Sequence, residues 1–455
     1  MSLLYRTLRG FIRTSLSVFF RQIEVVGAEH IPEEGLCPVI FAGNHPNSLL
    51  DPALVIATSG RVVHFAAKDT LFKTAPMRAL LLGLGAVPVA RRDDHAGGAV
   101  DNSAMFEQLF SVLAGHRSVG IFPEGLSHDA SQLAKLKTGA ARIAIGAVEA
   151  HPGLPLKVIP CGLTYIHPKR FRSRVLVQYG AAIEMTEERA QALLKDPSNG
   201  MRELTVEIDR SLRELTINAD DWDTLRLLDG VRRLYQPENT ALEDRVELAR
   251  RFNTVYPTIK HEPDIAAALD RVAQYQMRLE QLGMSDGDLR RSVSRFEVFQ
   301  RLLRHTVLTF FWLPLALPGM LVHLPLATII RFSGARLSPR KDVVATTKFV
   351  MGVLGMLFSL LAIPSVIAWR YGVLAGLAAM LGLLISGYAT VRVIDRTAAV
   401  KRLLFTFAKL ALLRKELQAL RAERALLVSL VTETVEKYRP ASMVPLFGPK
   451  GTKNH

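Results

Sequence analysis

The sequence predicts an α/β domain with a largely parallel sheet, then a helical extension, then a C-terminal α-helical membrane section. Three observations predict it. Short apolar runs alternate with helical patterns from Ile23 to Ile183, the arrangement produced by strand–helix–strand units of a parallel sheet. Residues 184–300 are dense in charge, with helical periodicity and few strand signals. Residues 306–391 contain apolar runs long enough to cross a ~30 Å hydrocarbon core.

Residues 1–21 form the first element. Leu4, Leu8, Phe11, Ile12, Leu16, Phe19 and Phe20 recur at helical spacing, among Arg6, Arg9 and Arg13 and with no acidic residue. A basic, aromatic-rich amphipathic helix of this kind suits the headgroup boundary of a bilayer. Without a continuous apolar core or a small-residue cleavage site, it does not read as a signal peptide.

Residues 22–185 form the α/β domain. Val39–Ala42, Val62–Ala67, Gly85–Ala90, Val119–Phe122, Lys157–Leu163 and Arg174–Tyr179 read as strands, and Pro76–Leu84, Asn102–Ala114 and Leu136–Glu149 as helices. Residues 186–300 form the helical extension, in which Leu204, Ile208, Leu212 and Leu215 make an apolar stripe.

Residues 301–392 form the membrane section. Phe349–Trp369 and Val373–Val391 read as two spans, with Arg370-Tyr371-Gly372 as the turn of a hairpin. The run 306–330 contains Pro314, Pro318, Gly319 and Pro325. As a simple third span it would place the basic loop from Arg331 to Lys348 outside, against the positive-inside tendency. A proline-broken re-entrant segment is the expectation that removes the conflict. Residues 393–439 read as an amphipathic helix, with Leu410, Leu413, Leu417, Leu420, Leu427 and Val431 at 3-4 spacing interrupted by Arg424. That stripe suits a homo-oligomeric coiled coil, or packing on the membrane or on the catalytic domain. Residues 440–455 read as a disordered tail.

Composition narrows the partners. The 455 residues carry a net charge of +15 and 49% hydrophobic residues, with pI ≈ 10.0 and mean hydropathy +0.19. A basic chain of high hydropathy without aromatic-interleaved basic patches favours anionic lipid over nucleic acid. Two cysteines, Cys37 and Cys161, are too few for a disulfide framework or a thiolate metal site.

The chemistry gathers in short blocks. In Asn44-His45-Pro46-Asn47-Ser48-Leu49-Leu50-Asp51-Pro52, a histidine precedes a carboxylate. Neutral imidazole accepts a hydroxyl proton near pH 7, and a carboxylate on its other nitrogen fixes the tautomer and steadies the imidazolium. Backbone N–H groups around Asn47 and Ser48, where a helix is expected to begin, are candidate oxyanion donors. Arg91 and Arg92 end the block Gly85–Arg92, and a guanidinium fork binds phosphate oxygens bidentately. Next come Ile121-Phe122-Pro123-Glu124-Gly125, then Lys137 before Thr138-Gly139, then Val158-Ile159-Pro160-Cys161-Gly162.

These blocks, in this order, resemble the glycerophosphate and lysophospholipid acyltransferase superfamily. The resemblance implies that His45 is general base and Asp51 its partner, with no nucleophilic serine, metal or cofactor. It assigns Arg91 to the acceptor phosphate, and Glu124 and Gly125 to acceptor binding with Arg92 and Lys137 beside them. Members have four residues between histidine and aspartate, whereas here there are five, Pro46 to Leu50. One extra residue on a continuous helix rotates a side chain by ~100°, so pairing needs the histidine in a loop and the aspartate on the next helix. The longer spacing is similar to that of fungal glycerol-3-phosphate/dihydroxyacetone-phosphate acyltransferases, as are Asp229–Tyr235 and Lys341–Lys348. The implied donor is acyl-CoA or acyl-ACP. The implied acceptor is glycerol 3-phosphate or dihydroxyacetone phosphate, with lysophosphatidate as the alternative. An integral membrane protein of bacterial inner-membrane type, with its catalytic domain on the cytoplasmic side and phospholipid as its surroundings, is the matching expectation. A thioesterase would use His45 and Asp51 with water, although the catalytic half lacks a Gly-x-Ser-x-Gly elbow. A non-catalytic lipid-binding protein would need neither residue.

Overall fold

Eight strands form one sheet in the order β1-β7-β6-β2-β5-β3-β4, with β8 also paired to β6. The strands are β1 Phe20–Val26, β2 Val39–Gly43, β3 Val63–Lys68, β4 Val87–Val89, β5 Ser118–Ile121, β6 Leu156–Tyr165, β7 Ser173–Tyr179 and β8 Ile183–Met185. A computed structural model describes residues 3–90, 101–219, 221–237, 240–282, 284, 286–290, 295–412 and 414–447. All strand pairs are parallel except β6–β7 and β6–β8. The fold class is the one expected, a parallel-rich α/β sheet followed by helices.

Crossover helices bury both faces of the sheet. They are α1 Leu3–Phe19, α2 Leu50–Thr58, α3 Ala75–Gly83, α4 Ser103–Ala114 and α5 Gly139–Ala150, followed by α6 Glu187–Lys195 and α7 Pro197–Leu215. Strands covered on both faces read as continuous apolar runs, and all five residues of β2 are buried. Leu204, Ile208 and Leu212 of α7, placed by the sequence in the extension, join the core formed by Ile40, Val119 and Val158. The α1 helix buries Tyr5, Leu16 and Phe19 and leaves Leu3, Leu4 and Phe11 exposed. Its Tyr5 hydroxyl accepts the Val63 N–H at 2.9 Å. Arg61 is 1% exposed, and its guanidinium is fully used. It donates to Ser118 Oγ and to the carbonyls of Pro32, Glu33, Cys37 and His116, which satisfies a buried charge. Cys37 and Cys161 are buried free thiols.

The chain divides into two compact units. The first comprises Met1–Trp222, Ala241–Arg250 and Arg340–Thr346, and the second Asp223–Thr240, Arg251–Pro339 and Thr347–His455. The remaining helices are α8 Trp222–Tyr235, α9 Leu242–Ile259, α10 Pro263–Gln281, α11 Asp286–Arg290, α12 Arg295–Arg336, α13 Val344–Tyr371, α14 Val373–Leu412 and α15 Arg414–Tyr438.

Within the second unit, Leu417, Leu420, Leu427 and Val431 of α15 pack on Leu234, Val272, Tyr275 and Leu279. Arg424, which interrupts the stripe, pairs with Asp286 at 2.8 Å.

The run 306–330 lies within α12, one 42-residue helix through Pro314, Pro318 and Pro325. Neighbouring hydroxyls serve the backbone around the prolines. Gly319 N–H donates to Ser386 Oγ at 2.5 Å, and Thr390 Oγ1 donates to the Ala316 carbonyl at 3.3 Å. Among the described residues, three helices are long and apolar enough to cross a membrane, within Phe299–Arg336, Lys341–Tyr371 and Val373–Phe405. Gly372, at φ 94°, alone joins α13 to α14, and the chain folds back so that a side chain on Gly376 would strike Ala368 Cβ.

Candidate active site

The sheet brings the chemistry together. β2 lies between β5 and β6, all three parallel, with Ala42 opposite Ile121 and Gly43 opposite Cys161. The carboxyl ends of three neighbouring central strands thus deliver His45, Phe122 and Tyr165 to one place, where open α/β sheets bind ligands.

His45 lies in the loop after β2 and Asp51 is the second residue of α2. The loop turns through Ser48, which has φ 48°, a left-handed conformation that is costly for a serine and met at functional sites. Five intervening residues then return the carboxylate to the imidazole, and His45 Nδ1 lies 2.8 Å from Asp51 Oδ2. Asp51 is 0% exposed. Tyr165 donates its hydroxyl to Asp51 Oδ1 at 2.6 Å, and the Asn47 amide donates to Oδ2 at 2.7 Å. Burial pushes the Asp51 carboxyl above the usual carboxylate range, and the donors from His45, Tyr165 and Asn47 oppose that rise. Burial, together with Asp51, raises the Tyr165 phenol well above its ordinary value, so it remains a donor.

With Asp51 as acceptor, His45 Nδ1 carries the hydrogen and Nε2 the lone pair. Nε2 has no protein partner among the described residues, and the His45 side chain is 14% exposed. The imidazole stacks on Phe122, with centroids 4.1 Å apart and planes 6° from parallel, and Phe122 stacks on Phe65 at 5.4 Å. Gly120 makes room for Phe65, whose ring lies 2.3 Å from where a Cβ on that glycine would be. Asn44 bonds both backbone groups of Leu163 through its amide.

Glu124 lies against the His45 loop. It is 5% exposed. Oε1 accepts the His45 backbone N–H at 2.7 Å; Oε2 accepts the Ala134 N–H at 2.8 Å and pairs with His128 Nε2. With both oxygens bonded to protein donors, Glu124 braces the His45 loop. The Glu124 hydrogen bond raises the pKa of His128 above the ordinary imidazole value, against partial burial. His128 N–H in turn donates to the His45 carbonyl at 3.1 Å.

The Asn47 amide, expected as an oxyanion donor, is committed to Asp51, while the Ser48 amide has no partner among the described residues. Gly125 has φ 76°, and a Cβ there would lie 2.9 Å from Lys137 Nζ; the exposed lysine lies over the glycine. Arg91 and Arg92 fall outside the described residues.

Three participants carry no local signal in the sequence. Tyr165 meets Asp51 across 114 positions. His128 is a histidine four residues beyond Glu124, a helical spacing in a segment that is not helical. Thr346, 4% exposed, donates to the Asn47 carbonyl at 3.0 Å.

Two family models match the chain. One, described as "Acyltransferase", covers residues 22–164. The other, described as "Glycerol-3-phosphate acyltransferase 2 C-terminal domain", covers residues 227–443. Three curated relatives are similar. Glycerol-3-phosphate O-acyltransferase 2 of Saccharomyces cerevisiae is 25% identical over 69% of this chain and 57% of that protein. Glycerol-3-phosphate O-acyltransferase 1 of the same yeast is 32% identical over 56% of this chain and 36% of that protein. The 1-acyl-sn-glycerol-3-phosphate acyltransferase of Borreliella burgdorferi is 30% identical over 30% of this chain and 52% of that protein. The matches to the two yeast proteins thus span 57% and 36% of those proteins' own lengths.

Proposed function

The chain belongs to the glycerophosphate acyltransferase superfamily, and on that premise we propose that it is a membrane-bound acyltransferase moving a fatty acyl group from acyl-CoA or acyl-ACP to the hydroxyl of glycerol 3-phosphate. The observation that carries this reading is the unpartnered Nε2 of His45, backed through Nδ1 by a buried aspartate. His45 Nε2 removes the acceptor's hydroxyl proton as that oxygen attacks the thioester carbonyl. The tetrahedral intermediate collapses with cleavage of the C–S bond, and the proton passes from Nε2 to the departing thiolate. Asp51 stabilises the imidazolium while Tyr165 and the Asn47 amide hold the carboxylate still. The Ser48 amide is the candidate donor to the oxyanion. Lys137, and by resemblance Arg91 and Arg92, supply positive charge to the acceptor phosphate. No step requires a metal or cofactor.

Dihydroxyacetone phosphate presents the same pairing of primary hydroxyl and phosphate and is the second acceptor of this reading. The match to the Borreliella protein favours lysophosphatidate as the rival. The three apolar helices support a membrane location, and this reading takes the catalytic unit to face the cytoplasm.

The test offers purified protein in detergent–lipid micelles labelled acyl-CoA or acyl-ACP, with glycerol 3-phosphate, dihydroxyacetone phosphate or lysophosphatidate in separate reactions. Transfer to glycerol 3-phosphate, abolished in His45→Ala, is the expected result. Transfer to lysophosphatidate alone would replace this acceptor, and thioester hydrolysis without transfer would replace the reaction.

A further inference from the structure

The first unit is interrupted in sequence, and its last piece, Arg340–Thr346, lies on the candidate site. This piece belongs to the region matched by the second family model, not to the four-block core. Two sets of hydrogen bonds seat it. Thr346 Oγ1 donates to the Asn47 carbonyl, between His45 and Asp51. At the other end Asp342, 7% exposed, accepts the Ser127 hydroxyl at 2.5 Å and an Arg340 Nη2–H at 2.8 Å. The same Nη2 donates to Ser127 Oγ at 3.0 Å. Ser127 directly precedes His128, the residue bonded to the His45 carbonyl.

We propose that Arg340 is a ligand for the acceptor's phosphate and that Arg340–Thr346 completes the acceptor side of the catalytic site. The inference rests on the acyltransferase reading above. An arginine fixed through one nitrogen has a set direction but spare capacity. Nη2 is held by Asp342 and Ser127, whereas Nη1 and Nε have no partner among the described residues, and the side chain is 44% exposed. A guanidinium carries five donors in a planar fork that matches two phosphate oxygens. A second cation borders the same turn: Lys137 Nζ lies over Gly125, two residues before Ser127. Two positive groups therefore flank Gly125–Ser127, and the next residue bonds the catalytic loop. A phosphomonoester held there leaves the other end of a three-carbon acceptor free to approach His45. Asp342 is the positioning residue, since it aims the guanidinium without touching substrate.

The experiment uses the full chain in detergent–lipid micelles with Arg340→Ala and Arg340→Lys. Losing a charge-assisted phosphate contact should raise the KM for glycerol 3-phosphate about tenfold or more. The kcat and the KM for the acyl thioester should stay within about twofold. Arg340→Lys should recover part of the loss, because charge remains while the fork is gone. The inhibition constant of inorganic phosphate should rise in step with the KM. Unchanged KM and inhibition constant, or a fall in kcat with both KM values moving together, would make Arg340 a structural pin and overturn the proposal.

A second arm reads inorganic phosphate by thermal stabilisation, without turnover. A shift in the unmodified protein and in His45→Ala, absent in Arg340→Ala, supports the site even if no acceptor is acylated. No shift in the unmodified protein overturns it. If Arg340→Ala does not fold, Arg340→Lys carries both arms.

Discussion

His45 is held at its ring, at Nδ1 and through its backbone. Its ring is stacked on Phe122, its Nδ1 is bonded to Asp51, and its backbone N–H is bonded to Glu124. Removal of the imidazole by His45→Ala should lower kcat by about 10²–10⁴-fold, the range of general acid–base contributions, while the protein still folds and binds acyl thioester. Tyr165→Phe removes one donor from a buried carboxylate, a change in the range of hydrogen bonds to charged groups. We expect kcat to fall about tenfold, with the KM values nearly unchanged. A loss as large as that of His45→Ala would mean that the phenol touches substrate. His128 predicts a pH effect on stability. Its folded-state pKa is raised by Glu124, so the pair stabilises the fold fully below the ordinary imidazole range and loses that contribution as pH rises through the raised value. The melting temperature of the unmodified protein should therefore exceed that of His128→Gln most at about pH 6, the gap narrowing towards about pH 9. A gap that widens with pH would assign the opposite sign to the pair.

At the scale of elements, the membrane helices show what local patterns conceal. Three prolines suggest a broken segment, because proline lacks an N–H and clashes with the preceding turn. Yet α12 continues through all three prolines, and contacts with Ser386 and Thr390, distant in sequence, reach its backbone at Gly319 and Ala316. Most strands were legible from their apolar runs. The edge strand Phe20–Val26 was not, since its first residues extend the helical stripe of residues 4–20, and Ile183–Met185 is too short to show a period. Packing of α10 on α15 leads to a further expectation. The two share a core through Val272, Tyr275, Leu279, Leu417 and Leu420 and exchange ion pairs, Arg278 with Glu423 and Asp264 with Lys437. Charged helix faces do not lie in hydrocarbon, so we predict that the chain before α12 and the chain after α14 emerge on the same side of the bilayer, joined by an even number of crossings. Single cysteines replacing Gln281 and Glu416, in a background with Cys37 and Cys161 replaced, should react with an impermeant thiol reagent from one side of sealed vesicles. Labelling from opposite sides would require an odd number.

At the scale of the molecule, the catalytic unit is discontinuous in sequence, and this limits what the four blocks can disclose. His45 and Asp51 are legible because they are six positions apart and their chemistry demands a pair. Asp342, Ser127 and Arg340 are illegible because the contact spans more than 200 positions and neither end carries a recognisable spacing. The same discontinuity predicts how the protein responds to shortening. Leu242 and Val246, from the 241–250 piece, bury Leu176 of β7 with Val26 and Ile217. A chain ending after Trp222 loses that cover and exposes a buried leucine, at a cost of about 1.5–3 kcal/mol per large side chain left in water. It should be cut by protease faster than a chain ending after Arg250. Restoring 241–250 should recover resistance but little acyl transfer, because Thr346 and Arg340 are still missing from the His45 and Ser127 loops. Transfer should appear only when the chain extends past Thr346 with its membrane helix in lipid. Proteolysis half-lives and labelled acyl transfer across the three lengths test both statements. Activity of the shortest chain equal to that of the full one would show that the four-block core suffices and that the two later pieces contribute nothing to catalysis.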